Sequence, residues 1–258
     1  MNNTSGVKRF LEYLPVSIRF HKLKNEGLAR LIFVLVLFCQ LVGSYIPHQI
    51  LSRISTADFD LLYSALTMSS ESTLNAEQAE KVFYPLLALL GVMLLVKLVS
   101  NMFLSVYMYS YISELRGKDT GFAASFKGAF KHMGRLIGYN ILFGLLVMIG
   151  LMFFVVPGVI AYIIFVFGFC YILDLKLSIS DAFTASNEIT KGQKTQIISI
   201  FAGFYLIFEL PIVLILSGSS LGTAYLASFF STISSMILQR LITQLYMDLE
   251  YKKERTTK

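Results

Sequence analysis

The sequence predicts an all-α membrane protein in which six transmembrane helices form three hairpins, each with a cytoplasmic interfacial elbow helix. Hydrophobic residues make up 55% of the 258 residues and charged residues only 15%, whereas a soluble domain carries about a quarter charged residues. The mean hydropathy is +0.67. The charges cluster between apolar runs that approach or exceed the roughly 18 to 20 residues needed to cross a bilayer. The whole chain is therefore expected to form one polytopic membrane domain.

The apolar runs define six predicted spans and the segments between them. A cytoplasmic amphipathic leader covers 1–27, an extracellular loop covers 47–80 and a cytoplasmic tail covers 247–258. The predicted spans are 28–45, 83–109, 136–156, 159–173, 195–216 and 223–246. The fourth span is short, and Pro157-Gly158 is expected to form the outer connection before it. Tyr107, Tyr109 and Tyr111 are expected to belong to an interfacial aromatic belt.

The basic residues predict the orientation. Of the 22 lysines and arginines, nineteen lie in one alternate set of segments or in the span ends that adjoin it, only Arg53 and Lys81 lie in the other set, and Lys97 lies deep inside the second span. Since loops rich in Lys and Arg stay in the cytoplasm, both termini are predicted to be cytoplasmic.

An internal repeat is visible in the positions of glycine and proline. A basic, partly amphipathic segment leads to a glycine, then a span, then a proline about twenty residues later. The three copies run from Gly27 to Pro47, from Gly134 to Pro157 and from Gly192 to Pro211, and their leaders include 18–26, 122–132 and 180–191. In the middle leader the face formed by Phe122, Phe126, Ala129 and Phe130 opposes Lys127 and Lys131, as in a helix lying in the headgroup layer.

A stretch of the middle and third copies carries a resemblance. The Pro157-Gly158 hairpin is followed by a helix with Asp181, Ala182, Ser186, Lys191 and Gly192 at the spacing D-A-x-x-x-S-x-x-x-x-K-G. This pattern resembles poorly characterised bacterial six-span membrane proteins related to the membrane domain of some glycerophosphodiester phosphodiesterases. The resemblance covers about a third of the chain and implies a bacterial plasma membrane. The sequence shows no phosphodiesterase catalytic domain, so the resemblance implies no such activity.

The sequence carries no signature of an enzyme, a cofactor or a metal site. It lacks the glycine-rich phosphate loop, H-E-x-x-H, G-x-S-x-G and C-x-x-C patterns, and its three histidines are scattered. The net charge of +6 is explained by orientation signals rather than by nucleic acid. We therefore expect a non-enzymatic protein whose partners are membrane lipids and a possible peptide or protein.

The candidate site residues are the ionisable side chains inside the spans, because such groups are costly in hydrocarbon and usually functional. Lys97 begins a polar row with Asn101 and Ser105, and Glu209 lies one helical turn after Tyr205 and two residues before Pro211. At 1.5 Å per residue the depths of Lys97 and Glu209 differ by about 5 to 10 Å, depending on where the second span begins. Three interpretations stay open: a Lys97–Glu209 ion pair, a neutral Glu209 bonded to Tyr205 or backbone, and a ligand or proton site.

A second polar row lies in the sixth span at a spacing of four residues. It contains Ser231, Ser235, Gln239 and Thr243. These side chains are expected either to face the Lys97 row around a polar centre or only to let helices pack closely.

Two functions fit these features. The first is the handling of a lipid or a hydrophobic or amphipathic peptide, as a transporter or export component. The alternative is an interaction protein, such as an immunity factor against a bacteriocin or a subunit of a larger complex. The acidic residues of the extracellular loop, which would attract cationic peptides, favour the alternative.

Overall fold

A computed structural model describes residues 8–51, 76–118, 121–216 and 220–256, and the described residues form helices and no strand. The helices are α1 (Phe10–Ser17), α2 (Glu26–Leu51), α3 (Ala76–Leu115), α4 (Phe122–Phe130), α5 (Met133–Phe153), α6 (Val155–Phe165), α7 (Gly168–Asp174), α8 (Ile179–Thr190), α9 (Lys194–Phe204), α10 (Leu210–Leu216) and α11 (Leu221–Thr256). A π-helical segment, Tyr205–Glu209, joins α9 to α10.

Six helical stretches are long and apolar enough to cross a membrane, which confirms the predicted fold class. These spans are Glu26–Ile50, Phe83–Leu115, Met133–Phe153, Val155–Asp174, Lys194–Leu216 and Leu221–Tyr251. The fourth span is longer than predicted, with 20 residues. Of the predicted extracellular loop 47–80, the two ends belong to α2 and α3, and residues 52–75 lie outside the described part of the chain.

The connection between the third and fourth spans lies at Phe154, not at Pro157-Gly158. Phe154 has extended backbone angles (φ −161°, ψ 152°), and α6 begins at the next residue. Pro157 is tolerated in the first turn of α6 because the N–H that it lacks would have no helical partner there. Gly158 lets the two helices touch, since a Cβ at this position would lie 2.5 Å from Cγ of Leu151.

The fourth span is interrupted between α6 and α7, and two side chains satisfy the carbonyls beside the break. The hydroxyl of Tyr139 donates a hydrogen bond to the Phe165 carbonyl (2.5 Å), and that of Ser186 donates to the Ile164 carbonyl (2.6 Å). Gly168 leaves room for Tyr139, because a Cβ there would overlap the tyrosine ring and hydroxyl. Ser186, one of the residues that carry the family resemblance, thus has a structural role.

A short helix precedes each of the first, third and fifth spans, as the repeat predicts. These are α1, α4 and α8. In α4, Phe122 and Phe130 are exposed as expected for an interfacial face, but Ala129 is buried, so the predicted apolar face divides between protein and surroundings. The first leader differs more, because residues 18–25 form turns and α1 lies before them.

Two buried side chains explain why the 18–25 segment is not helical. The hydroxyl of Tyr107 donates to the Phe20 carbonyl (2.9 Å), and Nη1 of Arg240 donates to the Lys22 carbonyl (3.0 Å). The guanidinium of Arg240 also lies 4.2 Å from the ring centre of Tyr111. Tyr107 and Tyr111 are buried in the core, so the predicted aromatic belt is wrong for these two residues.

Both ends of the described chain lie on the same side of the bundle. The hydroxyl of Tyr13 in α1 donates to Oδ2 of Asp248 near the end of α11 (2.8 Å), and burial together with this carboxylate raises the pKa of Tyr13. On the same side, Nη2 of Arg116 lies 2.6 Å from Oδ2 of Asp174. That this side faces the cytoplasm stays a prediction.

We expect Gly168→Ala to destabilise the protein, because the added Cβ overlaps Tyr139 at the break in the fourth span. Overpacking of this kind costs about 1–3 kcal/mol. The control is Gly144→Ala, which adds the same methyl group to the third span with no atom within 4 Å. Thermal unfolding in detergent measures both, and equal melting temperatures for the two variants would contradict this packing.

We also expect His132 to make the free energy of unfolding depend on pH. Burial, and then the charges of Arg135, Lys176 and Lys131, lower its pKa from the usual 6.5. The unfolded chain therefore binds the proton more readily, so the free energy of unfolding falls as the pH drops through about 6.5. Melting temperatures between about pH 8 and pH 5 should fall more steeply for the wild type than for His132→Gln. Parallel curves would show that His132 contributes nothing.

Candidate functional site

A polar cavity of about 170 Å³ lies inside the bundle between five of the six spans. Its walls combine amide, hydroxyl and ammonium groups with aromatic and aliphatic side chains. The lining residues are Lys97, Asn101, Ser105, Met108, Asn140, Phe143, Tyr162, Val166, Phe169, Tyr205, Leu238, Gln239 and Ile242. We call this space the polar cavity.

The cavity brings together some of the predicted site residues and leaves others out. Lys97, Asn101, Tyr205 and Gln239 line it. The remaining predicted residues, which do not line it, are Glu209, Ser231, Ser235 and Thr243. Thr243 is buried beside the cavity, where its hydroxyl donates to the Gln239 carbonyl (2.8 Å).

The row that begins at Lys97 faces the cavity because residues four apart share one face of a helix. The hydroxyl of Ser105 donates back to the Asn101 carbonyl (2.7 Å), so it is satisfied within its own helix. Lys97 is exposed along this face. Its ammonium group makes no hydrogen bond, and no ion pair within 4.0 Å, with another described residue.

The cavity also contains amide groups without protein partners. The side chains of Asn101, Asn140 and Gln239 make no hydrogen bond with another described residue. An amide can donate two hydrogen bonds and accept two more, and leaving such capacity unused inside a bundle is costly. The cavity is therefore equipped to hold water or a polar ligand group.

Glu209 ends a π-helical segment that its neighbouring proline explains. Pro211 has no N–H, and its ring displaces the carbonyl one turn earlier, as expected from the sequence. The backbone adopts wider turns over Tyr205–Glu209, and the N–H of Leu210 donates to the Tyr205 carbonyl five residues before it. Segments of this kind occur often at functional sites.

The Glu209 carboxylate accepts a hydrogen bond from the sixth span rather than from Tyr205. The hydroxyl of Ser234 donates to Oε1 of Glu209 at 2.5 Å. Glu209 lies close enough to Lys97 for their charges to interact, but no ion pair within 4.0 Å joins these two described residues. The structure therefore shows a hydrogen-bonded Glu209 with Ser234 as the donor in place of Tyr205 or backbone, and the choice among the three interpretations stays a prediction.

An apolar groove adjoins the polar cavity and shares two tyrosines with it. The groove has a volume of about 280 Å³, and Tyr162 and Tyr205 belong to both walls. The other groove residues are Val147, Leu151, Gly158, Val159, Ile163, Ile198, Phe201 and Ala202. Leu151, Val159 and Ile198 are exposed, so the groove opens on the perimeter of the helix bundle.

Three contributors to the site were not predicted from the sequence. Asn140 is a single amide in an apolar span, a signal of the same kind as Glu209 that could have identified it. Tyr162 carries no signal, because tyrosine is common in such helices. Ser234 is the neighbour of Ser235 in sequence. The spacing of four residues placed Ser235 in the predicted polar row, but it gives no information about hydrogen bonding by Ser234.

No family model, curated protein or solved structure matches this chain. Among the described residues, no group of three or more His, Cys, Asp or Glu could hold a metal ion.

We expect Ser234→Ala to destabilise the protein, because it removes the only hydrogen bond that another described residue donates to the Glu209 carboxylate. Glu209 is half-buried, so the loss should lie near the lower end of the roughly 1–3 kcal/mol that an unpaired buried acceptor costs. Ser235→Ala is the matched control, since Ser235 makes no such bond and should change stability by less than about 0.5 kcal/mol. Chemical or thermal unfolding in detergent measures the difference.

A larger effect of Ser235→Ala than of Ser234→Ala would contradict this assignment and favour the row predicted from the sequence. The double variant Ser234→Ala with Glu209→Gln gives a further check. The two changes should not add, because residues in direct contact are energetically coupled.

Proposed function

We propose that this integral membrane protein is non-enzymatic and handles an amphipathic molecule taken from the bilayer, as a transporter or export component. The ligand is a lipid or a hydrophobic or amphipathic peptide. We also propose, on the resemblance described above, that it belongs with bacterial six-span proteins of the plasma membrane.

One observation carries this proposal: the polar cavity and the apolar groove share the Tyr162–Tyr205 wall. An amphipathic molecule has the same two parts in the same arrangement, a polar head joined to an apolar tail. The cavity alone, at about 170 Å³, is smaller than the roughly 300–1,000 Å³ of common ligand sites. Together with the groove it reaches that range.

The irregular helices beside the cavity support a transport role. The fourth span is broken before Gly168, and the fifth contains the π-helical segment. Transporters commonly place discontinuous helices at their substrate sites, where irregular backbone lines a cavity instead of facing lipid. Both irregular helices contribute to the cavity through Tyr162, Val166 and Tyr205.

The alternative function, an interaction protein such as an immunity factor, depended on the acidic extracellular loop. Residues 52–75 of that loop lie outside the described part of the chain. No feature of the described residues favours this alternative.

We expect Ala202→Phe to reduce the binding of amphipathic ligands, because the larger side chain fills the groove. Val213→Phe is the matched control: it adds bulk to the same span at an exposed position that lines neither the groove nor the cavity. Native mass spectrometry of protein purified in a neutral detergent measures the lipids that remain bound. Equal retention by the two variants would contradict the proposal.

A further inference from the structure

We propose that the polar cavity binds the head group of a single-chain anionic amphiphile, a carboxylate or a phosphate monoester, while its chain lies in the apolar groove. This inference deepens the proposed function and rests on it. It specifies both the sign of the charge and the number of chains.

The sign follows from the lining of the cavity. Lys97 is the only charged side chain among the residues that line it. An ammonium group offers three hydrogen-bond donors and no acceptor, and no described residue occupies them with a hydrogen bond or a close ion pair. An anionic head supplies a counter-charge that can accept charge-assisted hydrogen bonds directly from the ammonium group.

The amides complete an anion site rather than a cation site. Asn101, Asn140 and Gln239 each bring NH₂ donors to the same space as Lys97. A cationic head would be repelled by Lys97, and no carboxylate in the lining offsets that repulsion. The nearest suitable group, Glu209, does not line the cavity and accepts a hydrogen bond from Ser234.

The size of each part limits the ligand. A space of about 170 Å³ suits a compact head such as a carboxylate or a phosphate, because it is well below the volume of a drug-sized site. The apolar groove has a volume of about 280 Å³, and its walls are mostly aliphatic side chains together with Phe201. One acyl or alkyl chain fits this shape better than the two chains of a phospholipid.

Substitution of Glu209 provides a control in which the effect on anion binding should be opposite to that of substituting Lys97. Its charge interacts with that of Lys97 and opposes the approach of an anion. Removing the Lys97 charge should therefore weaken anion binding, whereas removing the Glu209 charge should strengthen it. A site that holds only the apolar chain would respond to neither change.

The experiment measures binding of radiolabelled laurate to the purified full-length chain in a neutral detergent. Unlabelled competitors of equal chain length are dodecyl phosphate, neutral monolaurin and cationic dodecyltrimethylammonium. Inorganic phosphate is included to separate a lipid head from a free anion. The variants are Lys97→Met, Lys97→Arg and Glu209→Gln, with Lys127→Met as a control for exposed positive charge outside the spans.

We expect laurate and dodecyl phosphate to bind and the neutral and cationic competitors to bind at least tenfold more weakly. Lys97→Met should weaken laurate binding about tenfold or more, the loss expected for one charge-assisted hydrogen bond. Lys97→Arg should retain most of the affinity, Glu209→Gln should increase it, and Lys127→Met should leave it unchanged.

Several results would overturn the inference, and they separate it from the proposed function. Monolaurin binding as well as laurate, with no effect of Lys97→Met, would refute the anionic head while leaving amphiphile handling in place. Inorganic phosphate competing as well as dodecyl phosphate would show a free-anion site without a lipid. Failure of every single-chain probe would refute the lipid ligand and leave the peptide form of the proposed function.

If Lys97→Met fails to fold, the comparison of charged and neutral probes on the wild type still decides the sign. Glu209→Gln decides it independently, because weaker laurate binding in that variant would contradict the electrostatic argument.

Discussion

The structure depends on the absence of water in the membrane core, where each polar group needs a partner within the protein. Two spans have irregular backbone, and neighbouring side chains bind polar groups beside each irregular segment. Tyr139 and Ser186 bind the carbonyls at the break in the fourth span, and Ser234 binds Glu209 at the end of the π-helical segment. Lys97 and the amides of the polar cavity are not satisfied in this way. This difference supports the proposal that the cavity holds a polar ligand group.

The helices are joined by side-chain contacts on the side of the cavity nearer the termini, whereas the apolar groove is open. One to two turns beyond the cavity, on the side of the termini, Asp174 binds both Arg116 and the hydroxyl of Tyr246, and Tyr171 binds Glu250. These contacts join the second, fourth and sixth spans. On the perimeter of the helix bundle the apolar groove is open, with exposed aliphatic walls. A ligand that reaches the cavity from the lipid through the groove avoids the packed end.

The sequence was sufficient to predict a cavity-lining residue where its position follows from regular helical geometry. Lys97 was identified as an ionisable residue inside a span and Asn101 because residues four apart share a face, and both line the cavity. The hydrogen bond from Ser234 to Glu209 was not expected, because a spacing of four residues along the sixth span does not reveal which face of that span meets the fifth. Tyr107 was expected at an interface because it lies in the last turns of the long second span, whereas its buried partner, Arg240, is 133 residues away in sequence and could not be identified from the pattern. The two residues that were not predicted correctly, Ser234 and Tyr107, both depend on contacts between residues far apart in sequence.

The most direct test of the central claim uses laurate with a photoreactive diazirine in the middle of its chain, cross-linked to the protein and mapped by peptide mass spectrometry. The account predicts cross-links to the groove, on peptides containing Leu151, Ile163 or Ala202, and loss of these cross-links in Lys97→Met. Cross-links spread over exposed positions such as Leu94 and Val213, or groove labelling unaffected by Lys97→Met, would contradict it.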